Sequence, residues 1–178
     1  MKTIYFVRHG ESESNVAGIV SGGGNDIHLT ATGRDQAKKA GQDLKGKGIE
    51  LIVCSPMIRT VETATIIAKE IGYKPEDIVT NLLFVERAYG IYEGRPSEIF
   101  QEHLQNNTVH DSVETTEQIY ERLGKALDWL REQKQNTILV VSHGGAGRAV
   151  RAINQNLHHS HMYKLEAFKN AEIYEFKL

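Results

Sequence analysis

Three short runs of the chain are apolar without a break: residues 4–7 (IYFV), 51–54 (LIVC) and 138–141 (ILVV). A strand with one wet face alternates apolar and polar residues, whereas a continuous apolar run fits a strand covered on both faces. The run at 173–176, within EIYEFKL, does alternate and predicts an edge strand. A weaker run at 79–85 is taken as a further strand. Between these runs the apolar spacing becomes helical. Thr30 predicts the N-cap of a helix over 31–44 that GKG then stops. A second helix is expected over 57–71, ending at Gly72. A third is expected over 116–133, with Ile119, Leu123, Leu127 and Leu130 on one face. A fourth is expected to follow Gly144. Two irregular stretches stand out, the glycine-rich 16–28 and 89–96, and long loops in a compact fold often carry function.

Strands that alternate with helices predict an α/β fold with a mainly parallel central sheet. The 178 residues suit one domain over 1–178. No repeat array, low-complexity tract or linker interrupts it.

Charge narrows the function classes. A formal net charge of −2 with 25% charged residues is ordinary for a globular protein and gives no footprint for nucleic acid. The one cysteine, Cys54, cannot form an internal disulfide and lies in an apolar run, which predicts a buried, inert thiol in a reducing compartment. The first apolar run is too short for a signal peptide, and no stretch reaches the ~20 apolar residues of a membrane span. The expectation is a soluble, cytoplasmic protein with no membrane partner.

The chemistry lies where strands end. Ligands of open α/β sheets bind beyond the carboxyl ends of the strands. The first run passes directly into Arg8, His9 and Gly10, and the 138–141 run passes into His143, Gly144 and Gly145. A lone histidine at a strand end is more often a hydrogen-bonded structural residue. Two after matching strands, one beside an arginine, point elsewhere. A helix starting near Gly144 would aim free N–H groups and a positive dipole end at the same spot, which suits an anion. Arg59, in SPMIRTVETA, falls in the first turn of the helix that follows 51–54, again at a carboxyl end. VERAYGIYEG adds Glu86 and Glu93 around Gly90, one or both of which could equally be solvated loop charges.

Two imidazoles, two guanidiniums and a carboxylate would suit phosphoryl transfer. A neutral histidine attacks phosphorus, guanidiniums hold the equatorial oxygens bidentately, and a carboxylic acid protonates the leaving oxygen. Arg8 and Arg59 would oppose protonation of His9 and so favour its nucleophilic form.

The segments FVRHGES with Asn15 after it, LTATGRDQA, SPMIRTVETA, VERAYGIYEG, VETTEQIYER and VVSHGGAGR occur in one order over nearly the whole chain. In that order they resemble the histidine phosphatase superfamily, the phosphoglycerate mutase-like proteins. The resemblance implies a three-layer α/β/α sandwich and a phosphohistidine formed on His9. It implies a phosphate pocket of Arg8, Arg59 and His143, with Glu86 as proton donor. It implies phosphate contacts from Asn15, Ser21, Gly22 and Gly144, and no metal or other cofactor. The chain departs from the family pattern in VSGGGND, one residue longer than usual, in His28 before Leu29-Thr30, and in Val113-Glu114-Thr115.

Within that family a phosphatase lets water take the phosphoryl group, and a mutase excludes water and returns the group to a bound sugar acid. Only residues 95–113 separate Gly94 from Glu114, with Arg95 their sole Arg or Lys. This is short and not basic, so the expectation is an open pocket and hydrolysis of a small phosphomonoester or a phosphorylated protein side chain. A cofactor-dependent phosphoglycerate mutase is the alternative, on the strength of Ser21, Glu86, Arg87, Tyr89 and Gly90. A non-catalytic phosphate-binding module and a zinc hydrolase are the readings from other classes. His158, His159 and His161 are read as a solvated, incidental cluster. A monomer or a homodimer is expected, since the 173–176 edge could pair with a second copy.

Overall fold

The computed structural model describes residues 1–24 and 26–178; position 25, in the glycine-rich 16–28 stretch, lies outside the described residues. The strands are β1 (Thr3–Arg8), β2 (Leu51–Cys54), β3 (Val79–Thr80), β4 (Thr137–Ser142) and β5 (Ile173–Lys177). They form one sheet in the order β3-β2-β4-β1-β5. β1, β4, β2 and β3 pair in parallel, and β5 runs antiparallel to β1 at the edge, as the alternation in 173–176 predicts.

Successive side chains of a strand face opposite sides, so the continuous apolar runs supply two cores at once. Ile4, Phe6, Leu51, Val53, Ile138 and Val140 pack on one side, against α5 (Thr116–Glu132) and α6 (Gly144–Asn154). Tyr5, Val7, Ile52, Cys54, Leu139 and Val141 pack on the other, against α2 (Ala31–Leu44) and α3 (Ile58–Ile71). The result is the three-layer sandwich. Each fully buried Leu, Ile or Val in it contributes roughly 1.5–3 kcal/mol.

Local signals set the helix ends. The Thr30 hydroxyl accepts from Gly33 N–H at the start of α2, and the Thr115 hydroxyl accepts from Gln118 N–H at the start of α5. Gly72 closes α3 in the left-handed region, at φ 75°. The remaining elements differ from the sequence reading. A short helix α1 (Glu13–Ala17) and a nine-residue helix α4 (Ser97–Gln105) form where the sequence reading assigned no helix. The strand expected over 79–85 is only two residues long. The Asn81 side chain accepts from Leu83 N–H and turns the chain into a 3-10 turn at Leu82–Phe84.

Gly10 and Gly33 meet backbone to backbone. A Cβ added at Gly10 would lie 2.2 Å from the carbonyl oxygen of Gly33, and one at Gly33 would lie 2.0 Å from that of Glu11. The start of α2 therefore presses directly on the turn that follows His9. Backbone cannot move aside as a flexible side chain can, so Gly33→Ala is expected to destabilise the fold by roughly 1–3 kcal/mol, read as a lower midpoint in urea unfolding.

Candidate active site

β1 and β4 are neighbours in register, with Arg8 opposite Ser142. Parallel pairing therefore brings the residues that follow, His9 and His143, to one end of the sheet. Their rings meet edge to face with centroids 5.3 Å apart. His9 is 4% exposed and His143 is 0% exposed. His9 Nδ1 lies 2.7 Å from the carbonyl oxygen of its neighbour Gly10. A carbonyl can only accept, so Nδ1 carries the proton and Nε2 keeps the lone pair. His143 Nε2 shares a 2.8 Å hydrogen bond with the Ser55 hydroxyl, and its buried Nδ1 has no partner among the described residues.

Arg59 projects from the first turn of α3 and is 1% exposed; its guanidinium donates to the Gly22 carbonyl at 3.0 Å. Arg8, at the end of β1, donates to the Phe168 carbonyl at 2.5 Å, while its buried Nε has no partner among the described residues. Burial, then Arg59 and Arg8, hold the His9 pKa well below the ordinary 6.5. Burial, Arg59, His9 and Arg8 do the same for His143. Both imidazoles are thus neutral at pH 7.

Glu86 sits across from them. Its carboxylate accepts from Gly145 N–H and Ala146 N–H, both at 3.0 Å, and from Arg87 N–H at 2.8 Å. It therefore occupies the positive end of α6. A Cβ on Gly145 would lie 2.5 Å from this carboxylate, which is why a glycine serves there. A buried clamp holds the segment that carries Glu86. Arg122 of α5 grips Glu114 with two 2.8 Å hydrogen bonds and donates to the Leu83 and Val85 carbonyls at 2.8 and 3.0 Å. Arg87 stacks near Tyr163, Tyr89 and Phe100 and donates to the Tyr163 hydroxyl at 2.8 Å.

Glu93 has a different task. Its two carboxylate oxygens accept from Gly24 N–H at 2.9 Å and Tyr89 N–H at 3.1 Å, which ties the glycine-rich loop to 89–96. Val20 and the 94–95 backbone add two further hydrogen bonds between these stretches.

A cavity of about 300 Å³ has Arg8, Ser21, Glu86 and Gly144 in its wall; His9, His143 and Arg59 are not part of that wall, and the cavity meets them through the chain neighbours Arg8 and Gly144. The buried Ser21 hydroxyl has no partner among the described residues. The structure thus brings His9, His143, Arg8, Arg59, Glu86, Ser21 and Gly144 together. Gly22 joins them through its carbonyl, which faces Arg59 rather than presenting an N–H. Asn15 is set apart. It is exposed and outside the cavity wall, and its side-chain oxygen accepts from Ser12 N–H and from Asn170, both at 3.1 Å. Asn170 also donates to the His9 carbonyl at 3.2 Å, so Asn15 braces the His9 backbone through Asn170. Nothing in the sequence flagged Asn170.

Two more expectations meet their surroundings. Burial pushes the Cys54 thiol up to about 12, so it is protonated and inert. His158 and His159 turn to different hydroxyls, those of Ser160 and Thr116. Among the described residues, no group of three or more His, Cys, Asp and Glu side chains could hold a metal ion, and no helix is long and apolar enough to cross a membrane.

Residues 4–178 match the histidine phosphatase superfamily (branch 1). The chain belongs to that superfamily. The "Uncharacterized phosphatase PhoE" of Bacillus subtilis is 35% identical to it over 151 residues, covering 84% of this chain and 76% of that one. The "Probable phosphoglycerate mutase GpmB" of Escherichia coli is 33% identical over 155 residues, covering 81% and 70%. The chain spans only about a third of the length of two longer relatives, 35% and 34%. The solved structure of Bacillus stearothermophilus YhfR superposes with a TM-score of 0.86 at 23% identity, covering 97% of this chain and 89% of that one. The fold is therefore that of the superfamily, and phosphatases and a mutase stand among the relatives.

The buried histidine pair links pH to stability. His9 and His143 have depressed pKa values when folded, and an unfolded chain binds protons at about 6.5. Stability is then fully present above pH 6.5 and falls as pH drops below it, because the unfolded state takes up the protons. Urea unfolding from pH 7.5 to 5 is expected to show this fall, and His143→Gln to lose part of it.

Proposed function

We propose that the protein is a phosphomonoester hydrolase that works through a phosphohistidine on His9. The observation that carries the reading is the His9 hydrogen bond to the Gly10 carbonyl. It fixes the tautomer, so the lone pair stands on Nε2 of an imidazole that burial, with the two guanidiniums, keeps neutral. Nε2 attacks phosphorus and the ester P–O bond breaks. Glu86, carrying a proton, gives it to the leaving oxygen, and the alcohol departs. In the second half a water attacks the phosphohistidine while the Glu86 carboxylate takes its proton, and the P–N bond breaks to release phosphate and neutral His9. Arg8 and Arg59 supply positive charge and hydrogen-bond donors to the equatorial oxygens, and the neutral His143 imidazole supplies a further donor.

The Glu86 carboxylate rests on the same N–H groups of α6 that suit a phosphoryl oxygen. An incoming phosphoryl group would take those donors and release Glu86 towards the leaving group. Asn15 would act indirectly, by holding the His9 backbone. The substrate is a small phosphomonoester or a phosphorylated side chain, and no metal is needed for these steps. The one-domain organisation and a reducing, cytoplasmic setting belong to the same reading. The first is supported by a family match over residues 4–178, and the second by one buried thiol.

One observation favours the mutase as the second reading. The 95–113 segment is not an open gap, because α4 places Ser97, Phe100, Gln101 and Leu104 in the cavity wall. It still carries no Arg or Lys beyond Arg95, which leaves hydrolysis ahead. Phosphate release from a phosphomonoester panel with chelator, beside a phosphoglycerate mutase assay, separates the two. Chelator-resistant release without mutase turnover is expected; mutase turnover without release would reverse the assignment.

His9→Ala is expected to abolish phosphate release while the circular dichroism spectrum stays that of the parent. Full activity in that variant rules out the mechanism. Glu86→Gln is expected to slow hydrolysis of alkyl phosphates by roughly 10²–10⁴-fold. The loss should be smaller for p-nitrophenyl phosphate, whose leaving group hardly needs a proton, and equal losses on both would assign Glu86 another role.

A further inference from the structure

One cation in the cavity wall has no task in the steps above. Arg148 lies four residues after Gly144 on α6, so the two share a helix face, and its side chain leans back towards the helix N-terminus. It lines the same cavity as Arg8 and Glu86. Its guanidinium carbon lies 5.1 Å from the centroid of the Tyr163 ring. That contact occupies one flat face and leaves the N–H edge free. Among the described residues the buried Nε has no hydrogen-bond partner and Arg148 makes no ion pair. Every other arginine near the site is engaged: Arg8 with Phe168, Arg59 with Gly22, Arg87 with Tyr163 and Arg122 with Glu114.

A half-buried guanidinium without a partner is costly unless a ligand supplies the anion. Arg148 is also near enough to Arg8 for its charge to be felt there, so the two together make the cavity electropositive. The rest of the wall is largely apolar, with Phe100 and Leu104 from α4, Tyr89 and Phe168. The volume of about 300 Å³ is at the small end for a ligand site.

We propose that this cavity is the leaving-group subsite, and that it takes a phosphomonoester whose alcohol joins a compact apolar body to a carboxylate held by Arg148. The proposal rests on the phosphatase reading for its orientation: phosphoryl group towards His9, alcohol towards α4. The planar N–H fork of one guanidinium matches one carboxylate. A second phosphate would bring two negative charges beside Glu86 against a single spare cation.

The test compares binding before turnover. Benzylphosphonate and meta-carboxybenzylphosphonate have an unhydrolysable C–P bond and differ only in the carboxylate. Calorimetry on the unaltered protein is expected to show tighter binding of the carboxylated compound by about 10- to 100-fold, the range of a charge-assisted hydrogen bond. Arg148→Gln should bring the ratio of the two affinities towards one, and Arg148→Lys, which keeps the charge, should restore part of it. Equal affinities in the unaltered protein, a preference that survives Arg148→Gln, or no binding of either compound would overturn the subsite. Hydrolysis of phenyl and meta-carboxyphenyl phosphate separates this outcome from the parent reading. A carboxylate preference in binding with neither ester hydrolysed keeps the anion site and removes the phosphatase. Hydrolysis of both at equal kcat/KM removes the subsite and keeps the phosphatase.

Discussion

The in-register parallel pairing of β1 with β4 is the constraint on which the rest depends. It sets Arg8 opposite Ser142, and so delivers His9 and His143 to the same end of the sheet with ring centroids 5.3 Å apart. A slip of one residue would exchange the side chains of the two buried faces and part the two imidazoles. The apolar runs forbid that slip, because both faces of each strand are buried and each face has its own helical layer to fill. The site is thus as fixed as the core beneath it.

What is then held there is electrostatically unusual. Two guanidiniums are drawn into a buried place beside two imidazoles, and the cost of their charge is met by carbonyl oxygens and by the nearby Glu86 carboxylate. Burial, with the same positive field, keeps protons off the histidines. One arrangement therefore gathers positive charge and two neutral imidazoles at the same end of the sheet. Arg122 of α5, paired with Glu114 ahead of that helix, pins the backbone of the segment that carries Glu86. Glu93 pins the two loops over the pocket in a comparable way.

The apolar runs, the Thr30 and Thr115 caps and Gly72 follow local rules, and so the strands, the main helices and the layered fold could be read from the residues alone. The two strand-end histidines and Arg59 could be read as well, because an abrupt change from apolar to charged is itself a local signal. The 79–85 run misled because Asn81 caps a turn with its own side chain, which a count of apolar residues does not register. α4 was missed because its apolar residues are few, and its stability comes from Phe100 packing on Tyr89 and Tyr92.

By itself, then, the sequence determined the alternation of strand and helix, the sheet type and the residue types gathered at the carboxyl ends. Tertiary structure alone decided which groups face the cavity. Asn15 carries the family pattern yet turns aside to brace His9 through Asn170. Gly22 offers a carbonyl to Arg59, and Arg148 carries into the cavity wall an Nε that has no partner among the described residues. The physical reason is that secondary structure follows from neighbours within a few residues, whereas a hydrogen-bond partner is chosen among groups that only the folded chain brings within reach.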